Sequence, residues 1–371
     1  MIVTNNSCLR MLAITVRADI GGGPEHLFQL GSNFSADVDL LIACPNEPPY
    51  WDRFTSIVGP QNMTVIPHRA FSFSVLFRLA RYIRARKVDV IHSHGKGAGL
   101  YGRALSLLTG AKSLHTFHGL HVGEYGPAKK WMYLTLERLM GLLTAATITV
   151  SESERRAILA HGLVTPTKLY LVQNGVVVPE TLRPEVKNDI LRIIAVSRFD
   201  FQKNADLLID IAAGLKKTGK PFHLTILGQG EGYDAIATRI VQEGLTQNLT
   251  LAGPHSTPRD VFRKNHFFLS TSRWEGMPLA VLEAMSEGLC PVVTRVNGHV
   301  DLIDSGTNGL LFETAEEAVE ALVSTSANER SRMGDCARQN VAENYAVSRM
   351  AAATESIAAS LVSKQAVTPH A

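Results

Sequence analysis

The chain has 371 residues, and because folded units cluster around roughly 100 to 200 residues, this length predicts two domains. Hydrophobic residues make up 45% and charged residues 19%, a composition that supplies real cores and excludes a disordered chain. The net charge is only +3, with 18 lysines and arginines against 12 acids in residues 1–180, which argues against a nucleic-acid partner and leaves an anionic membrane surface or a phosphate-bearing substrate open.

Cysteine usage and hydropathy favour a cytoplasmic protein. The four cysteines are placed singly, at Cys8, Cys44, Cys290 and Cys336, so the sequence predicts neither a zinc site nor a disulfide framework. The first residues lack a basic-then-apolar signal pattern, and no apolar run reaches the roughly 18 residues that a membrane span requires.

Short aliphatic runs alternate with helical patterns almost from end to end. Strands are predicted at 11–16, 38–44, 88–94, 113–117, 145–151 and 168–173, and again at 191–197, 223–228, 248–253, 266–272 and 290–296. Strands separated by crossover helices indicate parallel sheets covered on both faces. The fold class is therefore α/β, with two doubly wound domains.

Domain boundaries follow from an interruption of this pattern. Pro179 and Pro184, among mixed charges, break the alternation between the two series of strands. We predict an N-terminal domain over 1–176, a linker over 177–190 and a C-terminal domain over 191–345. Residues 346–371 are alanine-rich and predict a helix that packs back on the first domain.

A glycine run follows the first strand, in "ADIGGGPEHLFQL". Gly21, Gly22 and Gly23 let backbone N–H groups approach a ligand closely, and the helix start behind them favours an anion. The run is not the G-x-G-x-x-G fingerprint, which argues against NAD. The alternative is a flexible tight turn.

Histidines collect in the next two loops, "HSHGKGAG" and "HTFHGLHVGEY", at His92, His94, His115, His118 and His121. A metal site is the alternative here, but no carboxylate or cysteine completes a helix-borne ligand pattern. Neutral histidines also form hydrogen bonds with sugar hydroxyls and phosphates, and His118 lies in the loop itself, before Gly119.

The second domain offers an anion site after its first strand. Arg198 and Lys203 stand five apart in "SRFDFQKN", at a turn that opens a helix. Two cations converging on a helix N-terminus bind phosphate well, and arginine does so with two hydrogen bonds. A solvated pair of surface cations is the alternative.

Two glutamates flank a Gly-Met-Pro turn in "SRWEGMPLAVLEAM". Pro278 is predicted at the first helical position, so Glu275 precedes the helix and Glu283 lies within it. A ribose or hexose diol would satisfy such carboxylates, and the free N–H groups beside Pro278 would face the same ligand. The candidate ligand-binding loop is Gly276, Met277, Pro278 and Leu279. In the alternative interpretation, Glu275 caps the helix and Glu283 is a surface charge.

Together these loops resemble a known family. "GGGPEHLFQL", "DVIHSHGKGAGLYGR", "HTFHGL", "VQNGV", "SRFDFQKN", "LGQGEG", "STSRWEGMPLAVLEAMSEGLCPVV" and "NGLLF" occur in the order found in the retaining nucleotide-sugar glycosyltransferases of glycosyltransferase family 4. The resemblance spans about residues 11 to 345 and is carried by the ordered set rather than by any single motif.

The resemblance implies a GT-B fold, in which two Rossmann-like domains face each other across a cleft, and a retaining hexosyltransferase activity. Arg198 and Lys203 match the pair that holds the donor diphosphate. Glu275 matches the glutamate that contacts the donor sugar, and Glu283 the one that contacts the ribose. His118 matches the histidine near the reacting centre, and Gly22 and Gly23 match the loop beside the diphosphate and acceptor.

The resemblance also implies that the enzyme needs no cofactor and no metal, because cationic side chains and helix N-termini stabilise the leaving diphosphate. The expected partners are a nucleotide-sugar donor and a lipid-linked or saccharide acceptor, in cell-envelope polysaccharide or glycolipid biosynthesis. The segment "TRVNGHVDLI" departs from the family pattern at the sugar end of the site, so the donor nucleotide and sugar stay open. A nucleotide-sugar epimerase and a non-catalytic nucleotide-sugar sensor are the alternatives.

A basic and aromatic mixture in the first domain suggests peripheral contact with the inner face of the cytoplasmic membrane. Its residues are Arg78, Arg81, Arg84, Lys129, Lys130, Trp131 and Tyr133. The alternative is a set of solvated helix faces with a buried aromatic side.

Overall fold

The chain folds as two units, each built on its own parallel β-sheet. In this computed structural model the described residues are 8–120, 125–181, 190–255 and 258–363. One unit comprises Met1–Gly175 with Val347–Ala371, and the other comprises Val176–Ala346. His121 and most of the predicted linker 177–190 lie outside the described residues.

The first unit has a seven-stranded sheet in the order β3-β2-β1-β4-β5-β6-β7, with parallel pairing throughout. Its strands are β1 Leu9–Ile14, β2 Val38–Cys44, β3 Met63–Val65, β4 Val90–His94, β5 Lys112–Thr116, β6 Ala146–Thr149 and β7 Leu169–Leu171. Its helices up to the linker are α1 Gly22–Gly31, α2 Tyr50–Val58, α3 Phe73–Arg86, α4 Gly95–Thr109, α5 Pro127–Leu142 and α6 Glu152–Ala160.

The second unit has a six-stranded parallel sheet in the order β10-β9-β8-β11-β12-β13. Its strands are β8 Leu191–Val196, β9 Phe222–Leu227, β10 Leu249–Gly253, β11 Phe267–Ser270, β12 Cys290–Thr294 and β13 Leu310–Phe312. Its helices are α7 Ala205–Lys217, α8 Tyr233–Gln242, α9 Arg259–Phe262, α10 Leu279–Ser286, α11 Ala315–Ser324 and α12 Ala327–Asn344.

Central strands of both sheets are apolar on both faces, which is why they appear in the sequence as continuous runs. All five residues of β12 are buried, as are the last five of β2. Crossover helices cover the two faces of such a sheet and remove its strands from water. The prediction of two doubly wound Rossmann-like domains is confirmed.

Two short strands and the last helix add to the predicted elements. β3 and β13 have three residues each and were not among the predicted strands. The C-terminal helix α13, Val347–Val362, packs on the first unit against α1, β4 and β5. Within the described part of the chain, no helix combines the length and apolar character needed to cross a bilayer.

Strand order determines where loops meet within each unit. β1 lies beside β4 in the first sheet, and β8 lies beside β11 in the second, so the order of strands reverses at these pairs. Loops that leave the carboxyl ends of two such strands diverge to opposite faces and open a crevice where ligands bind in open α/β sheets. Gly22 and Gly23 follow β1, Arg198 and Lys203 follow β8, and Glu275 follows β11, whereas His118 follows β5.

Candidate functional site

Lys203 and Glu275 form the centre of the site on the second unit. Lys203 follows β8 and Glu275 follows β11, so the adjacency of those strands brings together residues 72 positions apart. The Lys203 Nζ lies 2.6 Å from Glu275 Oε1, and the Ser272 hydroxyl donates to the same oxygen at 2.6 Å. The side chains are 20% and 8% exposed respectively, so the pair is largely shielded from water.

Opposing effects set the charge of Glu275. Burial raises the pKa of this carboxyl, but the charge of Lys203, the nearby His299 imidazole and the hydrogen bonds from Lys203 and Ser272 lower it, and the net result is a pKa below the usual value. Burial lowers the pKa of His299 to about 4, so its imidazole is neutral at neutral pH. Glu275 is therefore a stable carboxylate that is already accepting two hydrogen bonds.

Arg198 is linked to the same loop through Gln202. Its Nη2 donates to Gln202 Oε1 at 2.9 Å, and the Gln202 amide donates to the Trp274 carbonyl oxygen at 3.1 Å. Its Nε lies 2.9 Å from Asp200 Oδ2, an acid that partly balances the guanidinium charge. About a third of the Arg198 side chain remains exposed, so an anion can reach it.

The loop that carries Glu275 leads into α10. Pro278 is the N-cap of this helix, which begins at Leu279, so the prediction of Pro278 as the first helical residue placed the helix start one residue too early. Met277 and Leu279 are buried, and Glu283 lies within α10 with 8% of its surface exposed. Glu283 is thus not the solvated surface charge of the alternative interpretation.

Gly298 fits closely against this loop. It has a φ of +84°, and a Cβ at this position would lie 2.8 Å from both Glu275 Cβ and the Gly276 oxygen. Only glycine allows both this backbone conformation and this approach. The "VNGH" segment, which departs from the family pattern in sequence, therefore packs directly against the backbone of the Glu275 loop.

On the first unit, Gly22 and Gly23 begin α1. A Cβ added to either glycine would meet no atom within 4 Å, so the surface above the first turn is open. The N–H groups of a first helical turn have no acceptor within the helix. This geometry suits an anion, and the ligand role of Gly22 and Gly23 stays a prediction.

His118 belongs to a cluster with His26 and His94. The coordinating nitrogens of the three side chains lie within 4.8 Å of one another, and His94 Nδ1 is 3.2 Å from His118 Nε2. Burial lowers the pKa of His26 to about 4 and holds the pKa of His94 and of His118 well below the usual value. All three are neutral at neutral pH and have the lone pairs that a transition metal would require.

His26 was missed in the sequence because it lies within α1, far from the two histidine-rich loops. Its Nδ1 is 2.9 Å from Asn174 Oδ1, so the "QNG" segment holds its ring in place. His92 and His115 are instead buried in the sheet, where His92 contacts Thr116 and His115 contacts Ser93.

Glu154 supports the His118 loop and was also missed. His118 has a φ of +62°, an uncommon conformation for a residue other than glycine. The next N–H group, from Gly119, donates to Glu154 Oε1, while Val150 N–H donates to Oε2 at 2.9 Å. In the sequence, the spacing Ser151-x-x-Glu154 is typical of a capping box, in which the glutamate binds the backbone at the start of its own helix. In the structure, Glu154 instead accepts a hydrogen bond from the neighbouring loop.

Two family profiles match the chain. Residues 20–178 match "Glycosyltransferase Family 4", and residues 180–340 match "Glycosyl transferases group 1". The O-antigen biosynthesis glycosyltransferase WbnH of Escherichia coli is 25% identical over 340 residues, which cover 90% of this chain and 96% of that protein. The UDP-Gal:alpha-D-GlcNAc-diphosphoundecaprenol alpha-1,3-galactosyltransferase of Escherichia coli is 25% identical over 309 residues, covering 77% and 78% of the two chains.

Solved structures show the same fold. HepE of Anabaena in complex with UDP and glucose has a TM-score of 0.81, with 15% identity over 95% of this chain and all of that one. The lipopolysaccharide outer core galactosyltransferase WaaB has a TM-score of 0.71 and 18% identity, over 94% of this chain and 99% of that one. These likenesses show that the fold is of the GT-B type.

Proposed function

This chain belongs to glycosyltransferase family 4, and on that premise we propose that it is a retaining hexosyltransferase. It moves a hexose from a nucleotide-diphosphate donor to a saccharide or lipid-linked acceptor, in the synthesis of a cell-envelope polysaccharide or glycolipid. The contact between Lys203 and Glu275 carries the proposal. It places a cation that can bind phosphate beside a carboxylate that can accept hydrogen bonds from sugar hydroxyls, at the same end of the sheet.

In this proposal, the second unit holds the donor. Arg198 and Lys203 bind the diphosphate, Glu275 accepts hydrogen bonds from the sugar, and Glu283 does the same for the ribose. The N–H groups of Gly276, Met277 and Leu279, on either side of Pro278 at the start of α10, face the donor as well. As the glycosidic bond breaks, negative charge grows on the diphosphate, and the two cations stabilise it without a metal ion.

Retention follows from attack on the face that the diphosphate leaves. The bond from the anomeric carbon to the phosphate oxygen breaks, the acceptor oxygen bonds to the same face, and the acceptor proton passes to the departing phosphate. Glu275 is a weak nucleophile because Lys203 and Ser272 already occupy one of its oxygens. By the family resemblance, we assign His118 a role near the reacting centre as a neutral hydrogen-bonding group, and Gly22 and Gly23 a role beside the diphosphate and acceptor.

The acceptor decides where the enzyme works. The name of one relative in Escherichia coli specifies a diphosphoundecaprenol acceptor, a lipid that lies in a membrane. We propose that this chain likewise uses a lipid-linked acceptor and contacts the inner face of the cytoplasmic membrane through its first unit. The basic excess of residues 1–180 supports that orientation, because cytoplasmic lipid surfaces are anionic.

The first experiment identifies the donor and the reaction. A thermal-shift screen of UDP-, GDP- and ADP-sugars selects the donor, since a ligand that binds only the folded chain stabilises it. NMR of the purified protein with that donor and a candidate acceptor then separates the three hypotheses. A new α-glycosidic bond from an α-configured donor supports retaining transfer, whereas a freed sugar epimer or binding without turnover refutes it.

The second experiment tests the residues. Glu275→Ala and Lys203→Ala each lower kcat by orders of magnitude, because each removes a group that contacts the donor. Glu320→Ala and Lys217→Ala are matched controls, since both replace exposed side chains of the same unit and leave the rate unchanged. Thermal melts confirm that each variant is folded at the assay temperature, and wild-type rates in either site variant would rule the assignment out.

A further inference from the structure

Helix α5 presents its apolar side to water. Trp131 and Leu142 are 70% and 72% exposed, and three further large apolar side chains of the helix are also exposed: Met132, Leu136 and Leu139. A helix on the surface of a globular protein normally turns such residues toward the core and its charges toward solvent. In α5 this order is reversed.

The inward side of α5 buries a charged residue beside the apolar Leu134. Glu137 is buried, and its Oε2 lies 3.2 Å from Nη2 of the buried Arg103 on α4. The Arg103 Nε donates to the Thr144 hydroxyl at 2.9 Å, just beyond the end of α5. An inward ion pair therefore fixes the orientation of the helix, and rotating the apolar residues inward would break it.

The exposed apolar residues form one stripe. At 3.6 residues per turn, the five side chains cover an arc of about 140° around the axis. Lys129 lies at one edge of this arc and Arg138 at the other, and both are exposed. An apolar face with a tryptophan and cationic borders is typical of helices that lie in the plane of a membrane interface.

We propose that α5 is the surface by which this protein binds an anionic bilayer, with Trp131, Leu139 and Leu142 inserted among the lipids. Lys129 and Arg138 then meet the phosphates on either side of the inserted stripe. This charge complementarity favours a lipid surface over a second protein. The inference deepens the proposed function and rests on its membrane-bound acceptor.

The structure also revises the residues expected at the membrane. Arg78 and Arg84 belong to α3 and donate to the carbonyl oxygens of Val65 and Leu108, so neither lies on the exposed face of α5. Arg138 does border that face, although its Nε also donates to the His161 carbonyl oxygen at 3.0 Å. Tyr133 is partly buried, with the Lys96 ammonium 4.5 Å from the centre of its ring. Of the residues predicted from sequence, Lys129 and Trp131 belong to the exposed face of α5.

Sedimentation with vesicles tests the proposal without any substrate. Wild-type protein binds vesicles of equal parts phosphatidylglycerol and phosphatidylcholine, binds pure phosphatidylcholine more weakly, and is released by salt. The triple variant Trp131→Ser, Leu139→Ser, Leu142→Ser binds the anionic vesicles roughly tenfold or more weakly, because it loses apolar side chains that enter the lipid. Its side chains are exposed, so its thermal melt matches that of the wild type.

A matched control uses Phe73→Ser, Phe77→Ser and Leu107→Ser, which remove three exposed apolar residues from α3 and α4. This control retains vesicle binding, and a loss equal to that of the α5 variant would overturn the proposal. Trp131 is the exposed one of the three tryptophans, so a blue shift of emission on vesicle addition that Trp131→Phe abolishes supports insertion.

Two further outcomes are decisive. A wild-type protein that binds neither kind of vesicle overturns the proposal, and so does a wild-type dimer that the α5 variant converts to a monomer without lipid. Transfer to a water-soluble acceptor, measured without vesicles, is unchanged in the α5 variant. If the wild type transfers sugar to neither water-soluble nor lipid-linked acceptors while vesicle binding holds, the proposed function fails and the membrane surface stands.

Discussion

Replacing Lys203 with methionine is a test of how the donor site holds its charge. Methionine keeps the apolar stem of the side chain and removes the ammonium group that lies 2.6 Å from Glu275 Oε1. The Glu275 side chain is only 8% exposed. Of the two donors described at its Oε1, the variant keeps the Ser272 hydroxyl and loses the Lys203 ammonium group. A buried charge without its counter-ion destabilises the folded state.

The magnitude follows from burial. Removing one partner of a fully buried ion pair costs about 3–5 kcal/mol. Because Lys203 is 20% exposed and Ser272 still donates, we expect roughly 2–4 kcal/mol for Lys203→Met. In a unit of this size each kcal/mol lowers Tm by about 2–4 °C, so the melting transition of the second unit falls by roughly 4–16 °C. Lys217→Met, on the exposed side of α7, is the control and leaves Tm unchanged.

The pH dependence gives an independent check. In the wild type the pKa of Glu275 is lowered, so this carboxylate contributes stability above its unfolded pKa and loses it as pH falls through the folded pKa. Without Lys203 burial dominates and raises the pKa of Glu275, so the sign reverses and stability falls as pH rises. The Tm deficit of Lys203→Met therefore grows as pH rises from the unfolded pKa of Glu275 toward neutrality.

Thermal unfolding followed by circular dichroism measures these changes. The double variant Lys203→Met, Glu275→Gln melts above the single variant Lys203→Met, because a neutral amide needs no counter-ion. The reasoning is refuted if Lys203→Met melts with the wild type at neutral pH, or if the double variant is no more stable than Lys203→Met alone.

Two further predictions concern buried acids of the first unit. Burial raises the pKa of Glu154 to about 7 against hydrogen bonds from Val150 and Gly119, so the folded state retains a proton that the unfolded state releases. Stability therefore falls by up to about 3 kcal/mol as pH rises from the unfolded pKa to 7, and Glu154→Gln flattens this slope in urea titrations at several pH values. Arg103→Met leaves Glu137 unpaired and lowers stability by about 3–5 kcal/mol, whereas Arg103→Met with Glu137→Leu regains most of it; equal melts for the two would contradict a buried pair.

Much of the fold could be predicted from the sequence because its central strands are buried on both faces. The predicted run 38–44 coincides with β2, and the predicted run 191–197 is one residue longer than β8. β3 and β13 were not predicted because three residues are too few to show a period, whereas the equally short β7 lies within the longer apolar run 168–173. Local pattern thus identifies long apolar runs better than short strands.

The candidate site could be predicted in part. Arg198, Lys203 and Glu275 stand in motifs that the family resemblance connects, and the structure links them by Lys203–Glu275 and by Gln202. Their roles toward a donor stay predictions. His26 could not be assigned to a site, because a single histidine inside a helical pattern carries no local signal.

The sequence by itself determined the local features of this protein. These are the alternation of strands and helices that specifies two parallel sheets, and the loop motifs that indicate the family. Tertiary structure alone decided that Glu154 supports the His118 loop and that α5 turns Glu137 inward and Trp131 outward. The physical reason is that periodicity shows which residues share a face of a helix. Which face meets water depends on side chains from distant segments, such as Arg103 on α4, that only the folded chain brings against it.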